Sequence, residues 1–289
     1  MDTSFMYFWE GIFQNPMLLI SALFTLGVIF VNGWTDAQNA IATCVTTRCL
    51  RPRQAIMMSA VFNFLGVFVM TQINSSVAST ISNMVDFGAN THNALIALCA
   101  ALFSIVVYSV AASFFGIPTS ESHSLIAGLT GAAIAIQNST DGINGAEWVK
   151  VLYGLVLSLV LGFLTGWVVC KIITILFQNM ERKQANVFFR YAQIAGAAAM
   201  SFMHGAQDGQ KFIGVLFLGI AFAGGQSSVE GMIIPVWLML LCSIVMGLGT
   251  SVGGEKIIKS GWRSRPPGRP TSSCGCWGPP PAASCLLRP

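Results

Sequence analysis

Long apolar stretches recur along most of this 289-residue chain and constrain its fold more than any other feature. A helix needs about 20 residues to cross the apolar core of a bilayer. We place stretches of this kind at about 16–34, 54–72, 93–115, 118–137, 149–177, 191–223 and 232–251. They are continuous runs and do not alternate as the strands of a membrane barrel do. The pattern predicts an all-α polytopic membrane protein.

The scarcity of charge supports the same fold class. Charged residues are 9% of the chain and apolar residues 54%, whereas a typical soluble domain has about 25% charged residues. So few charges cannot cover a soluble surface, and so much apolar area excludes a disordered chain. The net charge of +4 is small and gives no sign of a nucleic-acid partner. The expected surroundings are a lipid bilayer.

Lys and Arg residues indicate the orientation of the spans. They cluster at 48–53, 182–190 and 256–259, whereas the connections 73–92 and 138–148 contain none. Cytoplasmic loops are enriched in Lys and Arg. Every cluster falls in the cytoplasm if the N-terminus lies outside. We therefore predict a multi-pass protein of the cell membrane with its N-terminus outside.

An internal repeat divides the chain. Residues 30–41 align with 202–213 at a constant offset of 172, and Phe, Gly, Asp, Gln and Ile recur in register. By the charge pattern the two copies enter the membrane from opposite sides, which is typical of the inverted-topology repeats of secondary transporters. We expect a first repeat at 1–178, a cytoplasmic linker at 179–190, the start of a second repeat at 191–259 and a disordered tail at 260–289.

Each copy places a Gly and, three residues later, an Asp inside an apolar run. An ionised Asp at this depth requires a polar cavity or a partner, and a helix that breaks there exposes backbone polar groups. We expect broken or re-entrant helices that line a central site, with Asp36, Gln38 and Asn39 from one copy and Asp208, Gln210 and Lys211 from the other. An Asp–Lys pair that merely joins two helices is the alternative.

A third polar cluster follows Pro118. Pro suits the first turn of a helix, so Thr119, Ser120, Glu121, Ser122 and His123 lie at a predicted helix N-terminus. Free N–H groups and hydroxyl groups at such an end can bind a phosphate-like oxyanion. Glu121 and His123 add two ionisable groups, which favours a proton or cation role over a well-capped turn.

Together these motifs resemble the PiT family of inorganic phosphate transporters, over about residues 16–259. The family signature Gly-Ala-Asn-Asp-x-x-Asn-Ala is matched at Gly33, Asp36, Asn39 and Ala40 in the first copy, and at Gly205, Ala206 and Asp208 in the second. A later Pro-x-Ser-x-Thr-His-like motif is matched at Pro118, Ser120 and His123. The chain departs from the signatures at Thr35, Gln207, Lys211 and Glu121.

The resemblance implies symport of inorganic phosphate with Na⁺ or H⁺, with no other cofactor, at a site between the repeats, and it also implies a homodimer. Asp36, Asn39 and Asp208 would then hold Na⁺, with Asn39 also contacting phosphate, and Thr119, Ser120, Ser122 and Gln210 would bind phosphate. Lys211 stands where the family has a neutral ligand. We expect that Lys211 replaces one Na⁺, or that Glu121 and His123 make transport proton-coupled.

Other functions are also consistent with the pattern. A channel or transporter for another oxyanion such as sulfate is one. A membrane hydrolase with Ser120 or Ser122 beside His123 is another, but no further catalytic signature supports an enzyme. From Gly261 onward the composition changes to seven of the eleven prolines with no acidic residue. We expect a shifted reading frame there, and a truncated, inactive fragment is therefore a third alternative.

Overall fold

The computed structural model describes residues 5–35, 37–74, 76–88, 90–115, 120–179, 181–226 and 234–263. Helices account for most of them: α1 Phe5–Gln14, α2 Pro16–Thr35, α3 Ala37–Thr46, α4 Pro52–Ile73, α5 Ser76–Ser82, α6 Thr91–Phe115, α7 Glu121–Gln137, α8 Gly145–Phe177, α9 Arg182–His204, α10 Gln210–Ala223 and α11 Val236–Arg263. A π-helical turn, Gly205–Gly209, joins α9 to α10. The described part contains no strand, which confirms the predicted all-α class.

Four segments are long and apolar enough to cross a membrane. They are Pro16–Thr46, Pro52–Ile73, Thr91–Ala112 and Gly145–Phe177, and Val236–Val252 is a shorter apolar helix. Proline starts α2 and α4, where its missing N–H costs nothing. Four of the seven predicted spans therefore correspond to helices long enough to cross a membrane among the described residues, and the expected side of the N-terminus stays a prediction.

The second polar break differs from expectation. We predict a broken helix at 204–211, but the chain stays helical there and passes through the π turn. A π turn adds one residue to a helical turn and occurs mostly at functional sites. In the first copy α2 ends at Thr35 and α3 begins at Ala37, and Asp36 between them lies outside the described residues.

Two predicted segment boundaries can be compared with the helices. Helix α9 begins at Arg182, so most of the predicted linker 179–190 forms its first turns. Helix α11 continues to Arg263, past the expected start of the tail at 260. The remaining tail, 264–289, lies outside the described residues.

A tight crossing joins α2 to α11. A Cβ atom at Gly33 would overlap the carbonyl oxygen of Met246, and one at Gly249 would overlap the carbonyl oxygen of Phe30. The two backbones therefore touch through their glycines. Such close approach is how membrane helices associate when lipid and protein are equally apolar.

An equivalent crossing joins the end of α9 and the π turn to α4. A Cβ atom at Gly205 would overlap the carbonyl oxygen of Asn63, and one at Gly66 would overlap that of Phe202. Phe202 and Gly205 lie 172 residues after their α2 counterparts, and Asn63 and Gly66 lie 183 residues before theirs on α11. Each motif helix thus packs in the same way on a helix from the other half of the chain.

The core lies among α2, α6, α7, α10 and α11. It is apolar and well filled, and Ile29, Leu98, Leu129, Phe212 and Leu238 are fully buried in it. Helix α8 differs, because none of its residues is buried. Trp148 and Val151 at its start pack against the core, and the rest of this long apolar helix is suited to contact lipid.

Candidate functional site

A polar cluster lies where three elements meet inside this apolar assembly. The end of α2 contributes Thr35, the start of α7 contributes Glu121 and Ser122, and the π turn and α10 contribute Asp208 and Lys211. Two hydrogen bonds at the start of α7, Thr35 with Glu121 and Ser122 with Asp208, join residues 86 positions apart. The start of α7 therefore bridges the first copy of the repeat and the second.

The N-terminus of α7 is capped by a side chain. Ser120 is the N-cap residue, with φ −118° and ψ 112°, and its hydroxyl oxygen accepts a hydrogen bond from the His123 N–H at 3.4 Å. The first N–H groups of a helix have no partner within it, and the helix dipole is positive there. The predicted helix N-terminus is therefore present at Glu121 and Ser122, and its use as an oxyanion site stays a prediction. Thr119, also predicted to bind phosphate, lies outside the described residues.

Lys211 is held between the π turn and α7. Its ammonium group donates hydrogen bonds to Asp208 Oδ1 at 2.6 Å and to Ser122 Oγ at 2.7 Å. Ser122 in turn donates to Asp208 Oδ1 at 3.3 Å, and the Asn32 side chain is also hydrogen-bonded to Asp208. An ammonium group has three hydrogens to donate. Two of them are donated to described residues.

Glu121 is fully buried and contacts the end of α2. Its Oε1 atom lies 2.9 Å from Thr35 Oγ1, which also lies 2.9 Å from the carbonyl oxygen of Val31. A hydroxyl group has a single hydrogen. Thr35 can donate it to ionised Glu121, or donate it to Val31 while a protonated Glu121 donates to Thr35. The geometry suits both protonation states of this carboxyl group.

His204 belongs to the cluster and was not among the predicted site residues. Its Nε2 atom lies 3.7 Å from Asp208 Oδ2, and neither ring nitrogen forms a hydrogen bond with the described residues. His204 aligns with Asn32 in the repeat, and both side chains face Asp208. A polar residue at the same position of both copies was the signal that could have identified it.

Two predicted site residues lie elsewhere. Gln210 donates from Nε2 to the carbonyl oxygen of Asn74, at 2.9 Å, and is buried at the end of α4. Asp208 and Lys211 are three residues apart and share a helix face, whereas Gln210 points away from it. His123 is exposed, two residues beyond Glu121 and so on another face of α7. Assigning Gln210 to phosphate and His123 to the proton site is therefore not supported by their positions.

The first copy of the motif is only partly visible. Asp36 lies outside the described residues, and the side chains of Gln38 and Asn39 are likewise not described. Of the three residues predicted to hold Na⁺, only Asp208 is therefore placed, and Lys211 is its cation. Within the described ranges no three His, Cys, Asp or Glu side chains are grouped as a metal site would need.

Comparison with known proteins agrees with this architecture. The sequence profile of the Phosphate transporter family matches residues 32–261. A probable low-affinity inorganic phosphate transporter of Bacillus subtilis (strain 168) is 34% identical over 244 residues, which cover 84% of this chain and 71% of that protein. A protein of the same description from Mycobacterium bovis is 33% identical over 251 residues, covering 86% of this chain and 58% of that protein.

A solved structure shares the fold. The chain superposes on one titled the sodium-dependent phosphate transporter with a TM-score of 0.75, at 20% identity, over 85% of this chain and 78% of that one. The relatives are named as transporters and not as enzymes, and the apolar helices make the chain a multi-pass membrane protein. The match over residues 32–261 confirms the resemblance seen in the motifs. The chain belongs to the phosphate transporter family.

Proposed function

We propose that this chain binds inorganic phosphate between the start of α7 and Lys211, and that it moves phosphate across the membrane together with a proton. The relatives named as inorganic phosphate transporters support the substrate. The observation that carries the proposal is the position of Lys211, which holds a positive charge beside the N-terminal end of α7. An anion there would meet free N–H groups and an ammonium group.

The charge balance of the cluster makes a coupled cation necessary. Glu121 and Asp208 carry two negative charges when ionised, and Lys211 compensates one of them. Charges at low dielectric interact strongly, so phosphate and an ionised Glu121 would repel each other. A proton on Glu121 removes this repulsion. Coupling of phosphate to a cation then follows from electrostatics.

The structure favours a proton over Na⁺ at this part of the site. The Lys211 ammonium group occupies Oδ1 of Asp208, a residue that the resemblance assigns to Na⁺. Glu121 can gain or lose a proton with its Thr35 hydrogen bond kept in both states. The solved structure with the same fold is described as sodium-dependent, so Na⁺ is the alternative coupling ion. A homodimer is also expected from the resemblance alone.

Uptake of labelled phosphate by proteoliposomes that contain the full chain tests the proposal. We expect uptake to persist when choline replaces Na⁺, and to increase when the outside is made more acidic than the inside. Strict dependence on Na⁺ would contradict proton coupling but not phosphate transport. The absence of both uptake and phosphate binding would contradict the function itself.

A matched pair of variants connects the activity to the site. Lys211 pairs with Asp208 three residues away in the cluster, and Lys150 pairs with Glu147 three residues away at the exposed start of α8. We expect Lys211→Gln to abolish uptake and Lys150→Gln to leave it unchanged. Equal loss in both variants would indicate a general effect on folding.

A further inference from the structure

The structure assigns to Glu121 a role in choosing the oxyanion, an inference that rests on the proposed function. We propose that Glu121 Oε2 accepts a hydrogen bond from the acidic hydroxyl group of a protonated oxyanion. Phosphate and arsenate would then be accepted, and sulfate would be refused. The site would recognise a tetrahedral oxyanion that still carries a hydroxyl group near neutral pH.

The starting observation is an unused acceptor in the interior. Glu121 has no exposed surface, and its Oε2 atom forms no hydrogen bond with any described residue. A buried acceptor without a donor is costly and calls for an explanation. Its neighbour Oε1 does have a partner, the Thr35 hydroxyl at 2.9 Å. Only Oε2, and not the whole carboxyl group, therefore lacks a hydrogen-bond partner.

None of the described donors near Glu121 forms a hydrogen bond with its Oε2 atom. The Ser122 hydroxyl donates to Asp208, and the Lys211 ammonium group donates to Asp208 and to Ser122. Asp208 is an acceptor, and the His204 ring makes no hydrogen bond to Glu121. The described charged groups that face Glu121 thus include none that fills Oε2. A ligand that arrives at the start of α7 would supply that donor.

Oε2 acts as an acceptor in both protonation states of Glu121 when the proton of the neutral form lies on Oε1. When Glu121 is ionised, Oε1 accepts from Thr35 and Oε2 keeps its lone pairs. When Glu121 is protonated, Oε1 can donate to Thr35 while the Thr35 hydroxyl donates to the Val31 carbonyl oxygen, 2.9 Å away. Oε2 is then the carbonyl oxygen of the acid. A donor on the ligand is required in either case.

Oxyanions differ in whether they carry a hydroxyl group near neutral pH, so the need for a hydroxyl donor at Oε2 would select among them. Phosphate and arsenate both carry at least one hydroxyl group near pH 7. Sulfate carries none, and monofluorophosphate, which has the size and charge of a phosphate dianion, carries none either. A site built to bond a hydroxyl group rejects analogues that lack it, by factors of up to about 10⁴–10⁵. We expect at least a ~100-fold preference here, because Lys211 and the α7 N-terminus still attract every anion.

Competition binding tests the inference. Labelled phosphate bound to the full chain in detergent at pH 7 would be displaced by arsenate, sulfate and monofluorophosphate. We expect arsenate to compete at concentrations similar to phosphate, and the other two to need about 100-fold more. Glu121→Gln places an amide donor near the Oε2 position. It should weaken phosphate binding and bring sulfate within about tenfold of phosphate. Glu147→Gln is the control and should change nothing, because Glu147 also has a buried Oε2 atom without a hydrogen bond but lies at the start of α8 and takes no part in the cluster.

The outcomes separate this inference from the proposed function. If the chain binds no phosphate, the proposed function is wrong. If it binds phosphate and monofluorophosphate competes as well as arsenate, phosphate binding stands and the role of Glu121 is wrong. The ranking in the unchanged chain decides this even where Glu121→Gln does not fold. An unaltered ranking in a folded Glu121→Gln chain would also overturn the inference.

Discussion

At the scale of single residues, the cluster depends on a buried ion pair. Asp208 and Lys211 are 2.6 Å apart, with side chains only 16% and 21% exposed. Removing one partner of such a pair leaves an uncompensated charge, which costs about 3–5 kcal/mol when burial is complete. The cost here is smaller because both groups retain some exposure. The pair therefore both positions the cation and stabilises the π turn.

A double-mutant cycle separates these two roles. We expect Lys211→Met and Asp208→Asn to lower the thermal stability of the detergent-solubilised chain individually. We expect the double variant to recover part of the loss, because no unpaired charge remains, with a coupling of about 1–2 kcal/mol. Phosphate binding should not return, since the cation is gone. Additive losses in melting experiments would show that the two side chains act independently.

Thr35 offers a second residue-scale prediction. Its hydroxyl contacts Glu121 Oε1 and the Val31 carbonyl oxygen, so it supports both protonation states. Thr35→Val removes the hydroxyl and keeps the shape. We expect the pH dependence of phosphate uptake to shift, while Thr35→Ser keeps the wild-type profile. Identical pH profiles for Val and Ser would contradict a role for this hydrogen bond. The measurement is initial uptake rate across a pH series.

At the scale of helices, the glycine crossings bring the two motifs together. Gly66 leaves no room for a Cβ atom against the Phe202 carbonyl oxygen, whereas Gly162 on α8 has open space around it. We expect Gly66→Ala to destabilise the chain by about 1–3 kcal/mol through forced separation of α4 and α9. Gly162→Ala should be neutral or slightly stabilising, because Ala favours helix.

Thermal melts of both variants in the same detergent provide the comparison. Gly249→Ala should behave like Gly66→Ala, because a Cβ atom there meets the Phe30 carbonyl oxygen in the equivalent crossing. A loss at Gly162 as large as at Gly66 would show that lipid or detergent contacts dominate. Only Gly66→Ala and Gly249→Ala should also weaken phosphate binding. They would displace the helices that carry Gly205 and Gly33, which lie one turn or less from the cluster residues.

At the scale of the whole molecule, the charge pattern predicts one orientation. Lys and Arg are absent from the connections 73–92 and 138–148 and cluster after predicted spans, at 48–53 and 182–190. With the N-terminus outside, Asp141 lies outside and Glu181 lies in the cytoplasm. We expect alkaline phosphatase to be active when fused after Asp141 and inactive when fused after Glu181. A fluorescent protein that folds only in the cytoplasm should show the reverse, and the opposite pattern would invert the topology.

The lipid-facing helix α8 belongs to this scale as well. Its 33 residues are mostly apolar and none is buried. Hydropathy predicts a span at 149–177 and does not distinguish a core helix from a peripheral one, because both are apolar. Only the packed structure shows which helices contact protein. The membrane span is thus predictable from hydropathy, whereas its neighbours are not.

Hydropathy and spacing were sufficient for the fold class, the approximate spans and the three polar segments. These depend on consecutive residues, because the free energy of placing a helix in lipid is a sum along the chain. The repeat offset also identified Asp208 as equivalent to Asp36. The π turn was not predictable in this way, since a continuous helix with one extra residue per turn has the same composition as a broken one.

The tertiary structure alone decided which polar side chains meet. Glu121 reaches Thr35, and Lys211 reaches Ser122, across 86 and 89 residues of sequence. Such contacts depend on the rotation of each helix about its axis and on the close glycine crossings. Consecutive residues of a helix point about 100° apart. Lys211 therefore lies in the cluster, whereas the neighbouring Gln210 points away from it. The sequence determined what chemistry is available, and packing determined where it is assembled.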